Sequence, residues 1–211
     1  MTSVWGPMGW MTLHSVAACY SDTPTPSEKD IILRFITQFA ECITCPSCKQ
    51  HFSAMFATYR RTHPDWNANK FNMFVMVCRM HNSVNMRLDK PRPNTVAECI
   101  AQLKRATSVT PQAVFRRNYI AHVIRNWASQ HTGESFIFLA AAREMLRIND
   151  EYVVSREVDY ADLTMPEADV LEVVQEGADI YRVGNGITPF SPMVSPKGFS
   201  LRGGRLRLGA R

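Results

Sequence analysis

Glu41-Cys42-Ile43-Thr44-Cys45-Pro46-Ser47-Cys48-Lys49-Gln50-His51-Phe52 holds three of the chain's six cysteines and marks the start of a helix. Proline suits a first helical position, because the N–H it lacks has no intrahelical partner there. With Pro46 in that place, Cys45 falls near the N-cap and Cys48 inside the first turn. The free N–H groups and positive dipole end of a helix favour a thiolate at such a position. A Cys-x-x-Cys at a helix start can also close into a small, reducible disulfide. Outward from this stretch, the chain reads as a scaffold around a redox pair.

Composition limits the alternatives. The chain has 211 residues, enough for one or two domains, and its six cysteines are too few to staple a fold of that size. Packing must therefore supply most of the stability. No charged start is followed by an apolar run, which points to a protein that is not secreted. No apolar run reaches the roughly 18 residues of a membrane span. The expectation is a reducing compartment, where paired cysteines are metal-binding or catalytic more often than structural. Net charge is +5, and residues 184–211 alone carry Lys197, Arg202, Arg205, Arg207 and Arg211 without an acid. The basic character thus belongs to the tail, and the body gives no sign of nucleic-acid binding.

Hydrophobic periodicity predicts helices over about 5–20, 28–42, 46–61, 67–88 and 95–105. In the first, Pro7 is tolerable only in the opening turn, and His14 lies at the edge of an apolar face. Ser27 with Asp30 resembles a capping box, and Asn94 is positioned to cap the fifth helix. In the fourth, Cys78, His81, Asn82 and Asn85 share one side. Buried amides need partners, and a large planar polar ligand would supply them. Lys90-Pro91-Arg92-Pro93 reads as a rigid linker. Beyond 106 the character changes. Residues 112–130 and 134–148 read as two helices, 152–160 as a strand, and Pro166 to Gln175 as a short helix. This half has no cysteine and no catalytic constellation, so packing, dimerisation or partner binding is its expected role. From 184 the Gly, Pro, Ser and Arg content predicts a disordered tail.

Taken in order, Trp5-Gly6-Pro7, Trp10, Leu13-His14, Cys45-Pro46-Ser47-Cys48 with His51-Phe52, Cys78, His81-Asn82-Ser83-Val84-Asn85, Leu88, Lys90-Pro91 and Cys99 resemble the Erv/ALR family of FAD-dependent sulfhydryl oxidases. The short start at Trp-Gly-Pro is similar to the versions encoded by large DNA viruses. The resemblance spans about residues 4–103. It implies an all-α fold, with a four-helix bundle and short fifth helix binding FAD over 1–105. A mainly α extension of unknown function at 106–183, with minor β, and the basic tail at 184–211 would follow. It also implies the activity: disulfide formation in proteins, with electrons passing from substrate dithiols through Cys45–Cys48 and FAD to oxygen, giving hydrogen peroxide. Carried over residue by residue, the FAD contacts are Trp5, Gly6, Trp10, His14, Cys48, His81, Asn82, Val84, Asn85 and Lys90. Cys78–Cys99 matches the structural disulfide, although its spacing is about four residues longer than the common form. No metal site is assigned.

Cys42–Cys45 remains a competing redox pair, disfavoured because Lys-x-His-Phe follows Cys48. Cys19 and Cys42 otherwise read as buried thiols. No shuttle pair is evident, so electrons are expected from substrate proteins or a thioredoxin-like donor. Other expected features are a homodimer, no membrane or nucleic-acid partner, and a place in the host cytoplasm or viral factory with packaging in the virion. Two rival readings stand beside this one. An inactive scaffold of the same fold would act through residues 106–211. A metal module would use Cys42, Cys45, Cys48 and His51, although three-residue steps on one helix rotate such ligands away from one another.

Overall fold

The computed structural model describes residues 2–166, with side chains from residue 5 onward. The order is α1 (Thr2–Ala18), α2 (Pro26–Cys42), α3 (Pro46–Thr62), α4 (Lys70–Arg87), α5 (Val96–Thr107), α6 (Gln112–Ala128) and α7 (Gly133–Ile148). A π-helical turn over Asn149–Val153 and a 3-10 turn over Val154–Arg156 follow. The fold is all-α, and among the described residues there is no strand. The predicted helix at 166–175 and the predicted disordered tail lie almost wholly or wholly outside the described residues.

The helix boundaries come from identifiable side chains. Thr25 caps α2, its hydroxyl accepting from the Glu28 N–H at 3.2 Å while the Glu28 carboxylate accepts from the Thr25 N–H at 2.8 Å. The capping box is therefore Thr25 with Glu28, two residues before the predicted Ser27 with Asp30, because Pro26 takes the first helical position. At α5 the cap is Thr95, accepting from the Glu98 N–H at 2.9 Å. Asn94 instead donates its own N–H to the Glu98 carboxylate at 2.6 Å. Helix α1 starts earlier than predicted, so Pro7 falls inside it, past the first turn. Residues 152–160 do not form a strand. Among the described residues no neighbouring strand is present to satisfy a ladder, and wider helical winding carries Tyr152 and Val153 into the core.

Helix α1 packs against α4 and α6, α2 against α3 and α7, and α6 against α7. One core cluster runs from Leu13 on α1 to Leu163 beyond α7. At Gly9 an added Cβ would stand 3.2 Å from the Tyr119 ring and 3.3 Å from that of Phe39, so glycine permits the close approach of α1 to α6 there. A buried polar latch reinforces that contact. Arg116, on α6 and fully buried, donates to Asn149 Oδ1 at 2.9 Å, to Ser15 Oγ on α1 and to the Glu157 carboxylate. Helix α7 runs antiparallel to α2. Its start touches Cys42 and its middle faces Arg34, through Glu144 at 3.7 Å, while Arg156 beyond it reaches Glu28 at 3.2 Å. Residues 133–138 therefore lie at the end of the bundle where α2 stops and α3 begins.

Candidate functional site

Cys45 is the N-cap of α3 and is disulfide-bonded to Cys48, with their Cα atoms 5.2 Å apart. Its sulfur accepts from the Cys48 N–H at 3.3 Å and lies 3.3 Å from Ser47 Oγ. Both cysteines are half-buried. The predicted helix start thus places one sulfur where backbone N–H groups point. The competing Cys42–Cys45 pair is not formed. Cys42 is fully buried, its S–H donates to Phe138 O at 3.4 Å, and burial pushes its thiol up to about 12, with the Glu41 charge adding to the rise. Burial likewise raises the Cys19 thiol to about 11. Neither is a ready nucleophile near neutral pH.

Cys48 forms part of the wall of a cavity of about 600 Å³ between α1, α3, α4 and α5; Cys45 does not. This volume is ordinary for a cofactor-sized ligand. The predicted contacts Trp5, Gly6, Trp10, His14, His81, Val84, Asn85 and Lys90 all line it. Asn82 does not: it is 3% exposed and donates its amide to Pro93 O at 2.8 Å, bracing the linker that closes one side of the cavity. The linker leaves α4 through Asp89, at φ 51°, with the Lys90 N–H returning to Asn85 O at 2.8 Å and the Asp89 N–H to Met86 O at 3.3 Å. This left-handed helix end turns Leu88, Lys90 and Pro91 towards the cavity.

The wall is aromatic. The His81 ring stacks on Trp10 at 4.4 Å and 7°, and Trp10 lies 6.1 Å from Phe52. His14 Nε2 and His81 Nδ1 are 3.1 Å apart. Burial holds His14 well below the usual histidine range, with the His81 charge adding to the effect. Burial and then Lys90 lower His81 to about 4. Both rings are therefore neutral near pH 7, and His81 stacks on Trp10 without the cost of a buried charge. His14 is 1% exposed and its Nδ1 has no hydrogen-bond partner. Arg87, Lys90 and His51 supply cationic or protonatable groups to an otherwise apolar lining.

Sequence reasoning did not mark Arg87, Phe39, Ile43 or Phe115 as lining residues. Arg87 lies just after the His-Asn-x-Val-Asn stretch, between Asn85 and Leu88, and carries its own signal only as a cation at a helix C-terminus. Phe115 comes from α6, beyond the stretch that resembled any family, so nothing in its local pattern marked it.

The second cysteine pair joins α4 to α5. The Cys78 and Cys99 sulfurs are 3.1 Å apart as buried thiols, and Cys99 also reaches the cavity wall. Burial raises the Cys78 thiol well above its usual value, and the neighbouring Cys99 adds to the rise. A ring nitrogen of His14 and these two sulfurs all lie within 4.8 Å of one another. Among the described residues this is the one such His, Cys, Asp or Glu cluster, so Cys42, Cys45, Cys48 and His51 do not assemble the cage that a metal module requires. Also among the described residues, no helix is long and apolar enough to cross a membrane.

Comparison with known proteins converges on the same half of the chain. The model of the Erv1 / Alr family matches residues 7–106. A protein of Invertebrate iridescent virus 6, provisionally named as a FAD-linked sulfhydryl oxidase, is 34% identical over 98 residues, 44% of this chain and 88% of that protein. The FAD-linked sulfhydryl oxidase of African swine fever virus (isolate Tick/Malawi/Lil 20-1/1983) is 35% identical over 86 residues, 41% of this chain and 69% of the viral protein. A FAD-linked sulfhydryl oxidase of Saccharomyces cerevisiae is 31% identical over 85 residues, 40% of this chain and 41% of the yeast protein. No solved structure matches.

Proposed function

The chain belongs to the Erv1/Alr family, and from that premise we propose that it is a FAD-linked thiol oxidase that makes disulfides in protein substrates and uses oxygen as the final acceptor. The observation that carries this reading is the position of Cys48: bonded to the half-buried Cys45 on one side and facing an aromatic cavity of about 600 Å³ on the other.

The residues present fit FAD. Trp5, Trp10, Phe52 and His81 offer flat apolar surfaces for its rings, and Arg87 and Lys90 offer charge for its pyrophosphate. Asn85 and the unpartnered His14 Nδ1 are available to polar ring edges. Trp5, Gly6, Trp10, His14, Cys48, His81, Val84, Asn85 and Lys90 are the proposed contacts, with Asn82 acting through the linker it braces. Bound there, FAD would supply the transfer of an electron pair from the reduced cysteines to oxygen, with hydrogen peroxide as the product.

The chain's own groups perform the thiol chemistry. A substrate thiolate attacks Cys45 Sγ, breaking the Cys45–Cys48 bond and forming a mixed disulfide. Cys48 leaves as a thiolate inside the first turn of α3, where the helix dipole favours negative charge. The second substrate thiol, deprotonated, attacks the mixed disulfide. Substrate departs as a disulfide, and Cys45 is released with the Cys48 N–H directed at its sulfur. Two electrons have then entered the Cys45–Cys48 pair and two protons have left the substrate. Cys78 and Cys99, with sulfurs already in contact, are the proposed structural disulfide that ties α5 to α4.

The viral relatives support a narrower reading. It acts in the cytoplasm or viral factory of an infected cell, oxidising virion proteins directly or through a thioredoxin-like donor. The test is an absorption spectrum of the purified protein before and after anaerobic dithiothreitol. The flavin band should bleach, then recover in air with formation of peroxide. Bound flavin that does not bleach would favour the inactive scaffold, and stoichiometric zinc without flavin would favour the metal module.

A further inference from the structure

Helix α7 lies outside the stretch that matches the family, yet its first turns sit at the redox end of the molecule. Two contacts through Phe138 make the join, and a third from α6 stands beside them. The Cys42 S–H donates to Phe138 O at 3.4 Å, Lys49 Nζ rests 4.4 Å above the Phe138 ring, and Trp127 donates its indole N–H to Cys42 O at 3.0 Å. Lys49 is the residue after Cys48, and its N–H bonds to Cys45 O at 2.9 Å. The surface beside the disulfide is thus shared between α3 and α7.

Just before Phe138, two large apolar side chains stand in solvent. Phe136 is 73% exposed and Ile137 64%, on a helix that buries Ser135, Ala141, Ala142 and Met145. Adjacent exposed apolar residues of this size mark a contact surface. The other large exposed hydrophobics among the described residues, Leu88, Val109 and Val154, are single side chains away from α7. The cation nearest the join is already neutralised, because Lys49 pairs with Glu41 at 2.7 Å. The patch is therefore apolar, with the exposed Glu134 of the same first turn at its edge.

We propose that Phe136 and Ile137 form the docking surface for the substrate polypeptide, gripping the apolar residues of an extended segment that flanks its reacting cysteine. Any thiol that attacks Cys45 must approach the start of α3 from solvent, and a polypeptide that does so continues over the neighbouring surface. An extended segment of four residues spans roughly 13 Å, and Phe138 touches Cys42 and Lys49, which lie three residues before Cys45 and one after Cys48. A small dithiol has no such segment and makes no use of α7. The family-matched half would then carry the chemistry, and the extension would select which dithiols reach it.

This inference rests on the oxidase reading, and the test separates the two. The full-length, FAD-loaded protein is assayed with dithiothreitol and with reduced, unfolded ribonuclease A, as wild type, as the double variant Phe136→Ser with Ile137→Ser, and as Val109→Ser. If the wild type fails to oxidise dithiothreitol with peroxide formation, the oxidase reading falls and this inference with it. The expected result is a KM for reduced ribonuclease raised about tenfold in the double variant, the size typical of losing interface anchors. Turnover of dithiothreitol, molecular mass in solution and melting temperature should all match the wild type, as should every property of Val109→Ser. An unchanged KM for ribonuclease overturns the proposal, as does an equal loss with dithiothreitol. A fall in molecular mass with unchanged kinetics also overturns it, and assigns the patch to contact between copies of the chain.

Discussion

Cys45 and Cys48 lie three residues apart, half-buried, at the first turn of a helix whose N–H groups face the outer sulfur. Cys78 and Cys99 lie 21 residues apart, buried between two helices, with burial holding the Cys78 thiol far above its usual range. Both pairs have sulfurs in contact, so contact alone does not assign a role. Access and local field do. A nucleophile from solvent reaches the first pair, and the thiolate released there is stabilised. The second pair offers neither approach nor stabilisation, so a bond closed there is expected to stay closed. We propose on this ground that the first pair exchanges electrons and that the second, once bonded, holds helices together.

The largest effects should come from breaking the first pair. Cys45→Ala or Cys48→Ala is expected to reduce dithiol oxidation to background while leaving a folded protein that still binds FAD, because the aromatic wall of the cavity is untouched. Stopped-flow reduction of the bound flavin by dithiothreitol checks this. Undiminished reduction in both variants would remove the distinction between the pairs.

The second pair should respond in the opposite sense. Closing a loop of about 20 residues contributes roughly 3 kcal/mol in the chain-entropy model. Cys99→Ala is therefore expected to lower thermal stability by about that amount, with turnover changed only a few-fold. Denaturant unfolding, with alkylation of the free thiols beforehand, measures the loss and counts the bonds. A loss near 1 kcal/mol, the scale of trimming one small buried side chain, would mean that the two sulfurs touch without bonding.

The placement of both pairs is largely readable in the sequence. Pro46 announced the helix start, the 3.6-residue period placed Cys78, His81 and Asn85 together, and eight of the nine predicted cofactor contacts apart from Cys48 line one cavity. Asn82 escaped because position on a helix face does not reveal which residues meet the ligand and which meet the linker behind it. The caps shifted by one or two residues because Thr25 competes with Ser27 and Thr95 with Asn94, and local backbone geometry decides between neighbours of similar chemistry. The weak alternation over 152–160 looks like a strand, but only tertiary packing reveals that no partner strand is present among the described residues. Least readable was the link between the extension and the redox end. It runs through the carbonyls of Cys42 and Phe138, and every residue has a carbonyl.

That link gives the smallest and most discriminating prediction. The last carbonyls of α2 have no partner within the helix, and the Trp127 indole satisfies the one on Cys42, three residues before the outer sulfur. Trp127→Phe keeps an aromatic ring near Phe138, whose centroid is 4.4 Å from that of Trp127, but removes the donor. Leaving that acceptor unsatisfied should cost about 1 kcal/mol of stability. If α6 and α7 only pack against the bundle, nothing else should change. If they hold the turn that presents Cys45, the rate of attack by dithiothreitol should also fall, a few-fold, with flavin content unchanged. Loss of stability alone would place Trp127 with Cys78 and Cys99 among the groups that hold the fold. Loss of both would place it with Cys45 and Cys48, and would extend the redox site into the half of the chain that carries no cysteine.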